Sequence, residues 1–366
     1  MTDLKIFCAG GDLGTNPIEQ SENWLYPVPG GASTPREIES TKTCIKVLNV
    51  KSIIQDSGGF QLYIAELNKK VISFDPKLPV INDKNRINIH PVHLIKPAQM
   101  IRPDKMTCLD FPIGKVTDIN EQQKEFLNKL GCNIYFTTET YRLHKKYGLK
   151  AKLFLSIQCY TIAQLDYFLS RITDVEYDGI SMPVRNLNVA ELAVFIMKYK
   201  QIGVHSLHLL GTMNFFHIAL LSWLAFNGYF KWLSIDATTW RIAGEKMMYI
   251  NPYNLRFTTL KDYTDIPENT MTDCDCPACE GNTFNDIKNM PERERRYLLF
   301  YHNFYAIKKH AADCYKHASD INKLCQFLKS KTHRKNDVVE LAQCLKMITM
   351  MKDRPIEKWQ NILTTK

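Results

Sequence analysis

The sequence predicts a (β/α)8 barrel, of the TIM type, with an inserted cysteine-rich segment and a C-terminal helical extension. Three observations carry that expectation. Short apolar runs alternate with amphipathic stretches over the first two thirds of the chain. Several of these runs are continuous rather than alternating, as strands of a parallel sheet covered on both faces should be. Polar residues stand where the runs end, and in a barrel those ends form the face on which loops build a site. A doubly wound sheet is the competing arrangement. It calls for a Gly-rich phosphate loop after the first strand, which "AGGDLG" at 9–14 only weakly imitates.

Taken in order, the strand candidates are "LKIFCAG" at 4–10, "SIIQD" at 52–56, "MTCLD" at 106–110 and "KLFLSIQ" at 152–158. "YDGISM" at 177–182, "HSLHLLG" at 205–211 and "KWLSID" at 231–236 follow, and the eighth strand is expected in or near "MMYINPYNLRFTTL" at 247–260. Between them lie helical patterns such as "NVAELAVFIMKYKQIG", where Leu192, Phe195, Ile196 and Tyr199 share one face and read as core. After Asp236 the texture becomes polar and turn-rich, then helical from about Pro291. Val338, Leu341, Leu345 and Ile348 form an apolar stripe, and "SKTHRKND" at 330–337 reads as a basic turn between two helices. The expected organisation is a catalytic barrel over 1–262, a metal-binding subdomain over 263–304 and basic helices over 305–366.

At 366 residues the chain is long enough to bury a barrel-sized core. No apolar run reaches the length of a membrane span and the N-terminus lacks a secretory pattern, so the expected compartment is the cytoplasm. Of the 11 cysteines, Cys8, Cys44, Cys108, Cys132, Cys159, Cys314, Cys325 and Cys344 stand singly, which argues against a disulfide framework. The net charge of +9 is uneven: from Tyr305 onward 13 Lys and Arg face 6 Asp and Glu. A basic excess at one end suits a polyanionic partner.

Chemistry concentrates in two places. Asp56, Asp110, Gln158 and Asp236 stand at strand ends, a placement that core packing does not ask for. Cys274, Cys276 and Cys279 form a Cys-x-Cys-x-x-Cys cluster suited to a tetrahedral zinc ion, with a fourth ligand from elsewhere. His302 is the preferred fourth ligand and His310 its competitor. An iron–sulfur cluster is the other candidate occupant, though no fourth cysteine lies nearby. A Cys3His set leaves no open position, so such a zinc would be structural.

"DSGGFQ" at 56–61, "LDFP" at 109–112, "SIQ" at 156–158, "YDG" at 177–179, "HLLG" at 208–211, "IDATTW" at 235–240 and "CDCPAC…HN" occur in the order found in the tRNA-guanine transglycosylase superfamily. The resemblance spans roughly residues 50 to 305. It implies a zinc-containing barrel that exchanges guanine in a polynucleotide for a 7-deazaguanine base, of the 7-cyano-7-deazaguanine type. Position by position it implies that Asp236 is the nucleophile forming a covalent glycosyl intermediate and that Asp56 is the general acid/base. Asp110 and Gln158 would read the base edge and Phe60 would stack on it, with Ser57, Gly58, Gly59, Leu210 and Gly211 completing the base site. The two glycines would let the backbone pass close to a flat ring.

The sequence also departs from the tRNA enzymes. Met182, Pro183 and Val184 replace a Gly-Gly step, and "TTWRIAGEK" replaces an Arg-rich run, leaving Arg241 as a partial match. The PUA module of archaeosine-type enzymes has no counterpart in these residues. What departs is tRNA recognition, so the resemblance is nearest to the Dpd-type DNA-guanine transglycosylases, with DNA favoured over tRNA. On that reading the compartment is the host cytoplasm if the chain is phage-encoded. The expected partners are the polynucleotide, a free 7-deazaguanine base, and a second copy or a helper protein, with no membrane. A non-catalytic nucleic-acid-binding subunit of the same fold is the rival class. Such subunits lack the active-site carboxylates, which are present here.

Overall fold

Eight strands close into a parallel barrel in this computed structural model, which describes residues 4–9, 23–26, 35–69, 71–73, 86–212, 214–260, 270–272 and 274–351. They are β1 (Lys5–Ala9), β2 (Asn23–Tyr26), β3 (Ser52–Gln55), β6 (Lys105–Thr107), β7 (Lys152–Ser156), β8 (Gly179–Pro183), β9 (Ser206–Leu210) and β10 (Trp232–Ala237). Around the barrel they follow the order β1-β10-β9-β8-β7-β6-β3-β2. A short parallel pair, β4 (Val71–Ser73) with β5 (Arg86–Asn88), and an antiparallel pair, β11 (Met248–Ile250) with β12 (Phe257–Thr259), lie outside the barrel.

The eighth strand is therefore not in 247–260, as expected, but is β2, four residues reading NWLY. It was obscured because it is short and set between glycine- and proline-bearing sequence. Its register against β3 is nonetheless regular, with Trp24 opposite Ile53 and Tyr26 opposite Gln55. The 247–260 segment instead folds back on itself, pairing Met248 with Thr259 and Ile250 with Phe257. The other seven strands form where the apolar runs predict them.

The chain divides into two compact units. One comprises Glu22–Asn186 and Val204–Leu209; the other comprises Met1–Ser21, Leu187–Gly203 and Leu210–Lys366. They are called the Asp56 unit and the Asp236 unit below. In the Asp56 unit the long helix Ile119–Lys146 starts where the Asp118 carboxylate accepts from the N–H groups of Asn120 and Glu121. Gly179 opens β8 because nothing larger fits: a Cβ there would lie against the Phe154 ring and 2.7 Å from the Ser206 carbonyl oxygen.

In the Asp236 unit the helix Glu292–His317 packs against the helices Phe215–Phe226 and Thr239–Glu245. This single helix runs through residue 304, so the expected boundary there falls inside one element. Close approach is set by Gly244, where a Cβ would lie 2.5 Å from Phe300 Cδ1. Fully buried Trp240 meets Phe300 and Phe304 edge-on, with centroids 5.6 and 5.9 Å away. The predicted stripe of Val338, Leu341, Leu345 and Ile348 is buried. Among the described residues no helix is long and apolar enough to cross a membrane.

Overpacking β8 gives a direct test of the barrel core. Gly179→Ala is expected to lower stability by about 1–3 kcal/mol through displacement of Phe154, read as a lower urea midpoint at unchanged m-value. An unchanged midpoint would show that this contact is not tight.

Candidate active site and metal centre

Asp56 follows directly on β3, where its N–H continues the ladder to the Tyr26 carbonyl at 2.8 Å. The chain then turns sharply. Gly58 sits at φ +79°, a left-handed conformation that favours glycine, and caps the helix Gly59–Leu67. Ser57 accepts from the Gly59 N–H at 3.0 Å and donates a short hydrogen bond to Asp110 Oδ1. The Gln158 amide donates to Asp110 Oδ2 at 2.5 Å. Gly59 has no room for a side chain, since a Cβ would stand 2.5 Å from Asp110 Oδ1 and 2.8 Å from the Asp110 carbonyl oxygen. The glycine pair of "DSGGF" is thus explained by this turn and by close approach to a carboxylate. Phe60 projects outward from the first helical turn and is 59% exposed, unusual for a phenylalanine.

Asp110 is buried, and among the described residues it has no cationic partner. Burial pushes its carboxyl up to about 7, opposed by the Ser57 and Gln158 hydrogen bonds and reinforced by the charge of Asp56. Asp56 is also raised, chiefly by desolvation, with the backbone N–H groups of Ser57 and Gly58 pulling the other way. Gln158 is oriented in turn: its Oε1 accepts from the Ile113 N–H at 3.3 Å.

Sequence reading missed the residues that hold this loop. Helix Ile119–Lys146 presents Gln122, Lys129, Asn133 and Thr140, all buried, along one stripe. Thr140 Oγ1 accepts from the Leu109 N–H at 3.4 Å, and Asn133 brackets Phe111 through its N–H at 2.7 Å and its carbonyl at 3.1 Å. Lys129 donates to the Pro112 carbonyl at 3.0 Å and lies 4.5 Å over the Phe111 ring. Gln122 accepts from the Val116 N–H at 2.7 Å and donates to the Gly114 carbonyl at 3.2 Å. The signal was present in the sequence, as polar residues spaced 7, 4 and 7 apart at positions where a helix facing a core should be apolar.

In the Asp236 unit, Asp236 lies in β10 opposite Phe7 and is 5% exposed. The Gly211 N–H donates to its Oδ1 at 3.0 Å, and the Thr212 N–H donates to its carbonyl at 3.1 Å. Gly211 adopts φ +72°, which lets the chain turn this N–H onto the carboxylate. Leu210, just before it, is half-buried. Met182 and Val184 are buried in the Asp56 unit.

The ligand atoms of Cys274, Cys276, Cys279 and His302 all lie within 4.8 Å of one another. His302 Nδ1 stands 3.4, 3.6 and 3.2 Å from the three sulfurs in that order. One in-plane lone pair cannot serve three thiols at once. Those separations instead match the edge of a tetrahedron, about 3.5 Å for sulfur and nitrogen held roughly 2.3 and 2.0 Å from a common ion. The imidazole is set for this role: Nε2 faces the Ile250 carbonyl at 2.8 Å, leaving Nδ1 as the ligand atom, and the Tyr249 ring stacks on it at 3.7 Å. The four residues could therefore hold a metal ion such as zinc. His310, the competing ligand, stacks on Phe215 at 4.2 Å and meets the Phe215 carbonyl at 3.0 Å instead.

Asn303 explains the second letter of "HN". It accepts from the Ile250 N–H at 2.9 Å and donates to the carbonyls of Met248 at 3.0 Å and Trp240 at 3.2 Å. Asp275 joins Tyr305 and Lys309, each at 2.9 Å. Thus the cysteine loop, the β11–β12 hairpin and the segment following Asp236 are all tied to one helix. The chain matches no protein-family model and no curated protein sequence.

Metal analysis should find one ion per chain, released on mercurial titration of the thiols and on acidification, since thiolate and neutral imidazole ligands compete with protons. Cys276→Ser and His302→Ala should lose the ion and melt roughly 10 °C or more lower, whereas His310→Ala keeps it. Well-folded protein without metal, or a full load in His302→Ala, would refute the assignment.

Asp110 predicts a pH dependence. Its folded value near 7 lies above the ordinary carboxyl value, so the folded chain holds the extra proton between about pH 4 and 7. Stability attributable to this group is greatest below about pH 4 and falls as pH rises toward 7, by at most on the order of 4 kcal/mol. Asp110→Asn should flatten most of that decline in urea midpoints; an identical slope in the variant would count against the buried-acid reading.

Proposed function

We propose that the chain is a guanine transglycosylase that exchanges guanine in a polynucleotide, DNA in preference to tRNA, for a free 7-deazaguanine base. The observation that carries this reading is Asp110, a buried carboxylate held by Ser57 and Gln158 beside Asp56 and an exposed Phe60. A carboxylate offers about four lone-pair sites, and two here are taken. Two remain for the N1–H and exocyclic amine of guanine, which a 7-deazaguanine presents in the same way. One site can therefore read both the departing and the arriving base. Phe60 supplies a stacking face, and the nucleotide must first leave its stack.

On this proposal the Asp236 carboxylate attacks C1′ of the deoxyribose as the C1′–N9 bond breaks, and N9 takes the proton of Asp56. The arriving base then returns its N9 proton to Asp56 and attacks C1′, releasing Asp236. Two displacements retain configuration, by the logic of two-carboxylate glycosidases. The raised carboxyl of Asp56 suits a group that must be protonated to act as an acid. The Gly211 N–H would fix the nucleophile's orientation. Zinc in the Cys3His set is proposed to be structural, because four protein ligands leave no place for substrate.

Asp236→Asn should lower exchange of labelled guanine by at least ~10³-fold and abolish the covalent adduct on denaturing gels, with metal content and melting unchanged. Exchange at the parent rate would remove Asp236 from the mechanism. Duplex DNA and tRNA offered side by side with 7-cyano-7-deazaguanine decide the substrate, and exchange into tRNA alone would overturn the preference for DNA.

A further inference from the structure

We propose that loop 251–256 and the turn 331–335 form a docking surface for the phosphate backbone of a nucleic acid. The choice of partner rests on the polynucleotide reading above; the surface itself rests on its own geometry. Loop 251–256 is held rigid from within. Asn251 Oδ1 accepts from the N–H groups of Tyr253 and Asn254 at 2.9 and 3.2 Å, and Asn254 Oδ1 accepts from the Arg256 N–H at 3.0 Å. Leu255 adopts φ +55°, a conformation a branched residue takes only where its surroundings enforce it. Backbone bonds between Asn251 and Arg256 at 2.8 Å, and from Leu255 to Asn251 at 2.9 Å, close the loop.

Cations are gathered around this loop. The ammonium groups of Lys331 and Lys309 lie 4.8 and 5.8 Å from the centroid of the same Tyr253 ring. Arg256 donates to His333 Nε2 at 2.9 Å, so that imidazole is the acceptor and adds no charge of its own. Arg334 lies 5.0 Å over Phe216, its N–H held by Thr332 Oγ1 at 3.1 Å, and Lys335 follows it. Among the described residues two carboxylates pair with these five cations, Asp275 on Lys309 and Asp337 on Arg334, and Asp313 adds a third negative charge that acts on Lys309 from farther away. Among the described residues Arg256, Lys331 and Lys335 have no carboxylate partner.

Asp275 accounts for Lys309, but Lys331 over the same ring, Arg256 and Lys335 have no carboxylate among the described residues, and the ring's negative face offsets only part of the repulsion among these cations. A ligand carrying several oxyanions removes the cost. Phe257, next to Arg256 and 48% exposed, adds a face on which a base can stack. An anionic bilayer fits less well. The flanking helices turn their apolar residues inward, with Leu324, Leu328, Val338 and Leu341 buried, and so have little to insert.

The test is fluorescence anisotropy of the full chain with labelled duplex and single-stranded DNA across a salt series. Arg256→Gln, Lys331→Gln and Lys335→Gln, singly and together, should weaken binding equally for unrelated sequences. The slope of log affinity against log salt should fall by roughly one per cation removed. Melting midpoints and metal content serve as folding controls, and the single variants stand in if the triple variant fails them. Unchanged affinity and slope would overturn the proposal, as would a parent chain that binds no nucleic acid. It also falls if the variants lose binding only to phosphatidylserine vesicles or to an acidic peptide. The assay needs no catalysis. A chain that binds through these cations yet exchanges no base keeps the surface and removes the enzyme; exchange with undiminished binding in the variants does the reverse.

Discussion

The buried carboxylate of Asp110 is the constraint around which its half of the molecule is arranged. Among the described residues no cation neutralises it, and two neutral side chains, Ser57 and Gln158, donate to it. Each has conditions of its own. Ser57 reaches it because Gly58 turns the chain through a left-handed conformation, and Gly59 then clears the space that a Cβ would take from the carboxylate. Gln158 is held by the Ile113 N–H, and Tyr160 holds the Ile113 carbonyl at 3.0 Å. An orphaned buried acid would relax toward solvent. Here the loop carrying it is fastened at Leu109, Phe111, Pro112, Gly114 and Val116 by one helix.

The Cys3His centre does the corresponding work in the other unit with a different bond type. The β11–β12 hairpin is two strands of three residues, too short to be stable by itself. It is held because His302 and Asn303 take the carbonyl and N–H of Ile250, and Tyr249 stacks on the imidazole. Asn303 also reaches Trp240, four residues beyond Asp236, so order at the metal-ligating helix extends to the end of the strand that carries the acid. A metal bound there would stabilise folding and this geometry together.

What was legible in the sequence follows from these physical differences. Continuous apolar runs mark barrel strands because both faces are covered, and seven of them were visible. β2 was not, since four residues cannot show a period. The hairpin at 247–260 resembled a strand because Met248, Tyr249 and Ile250 are apolar, yet Tyr249 and Leu260 bury against the cysteine cluster. The metal set was legible because thiol spacing is a local property, and the preference for His302 over His310 is upheld by what Nδ1 faces, three sulfurs in His302 and only the single Cys314 thiol in His310. The clamp on the Asp110 loop was overlooked because its residues are ordinary polar side chains, and only their alignment on a buried helical face gives them meaning.

Lys129 shows what the arrangement avoids. Its ammonium is buried over Phe111, one residue from Asp110, where a salt bridge would be the obvious way to stabilise a buried acid. It is instead bonded to the Pro112 carbonyl and paired with Glu66 and Glu125, each at 2.6 Å. An ion pair with Asp110 would lower its carboxyl and occupy lone pairs that Ser57 and Gln158 leave open. With the cation bonded elsewhere, desolvation leaves Asp110 raised, at a cost in stability near neutral pH. Stability alone would favour the ion pair. The loop is thus fastened by a helix whose own cation is bonded away from the acid, and a buried carboxyl held by neutral side-chain donors is an arrangement that packing alone does not call for.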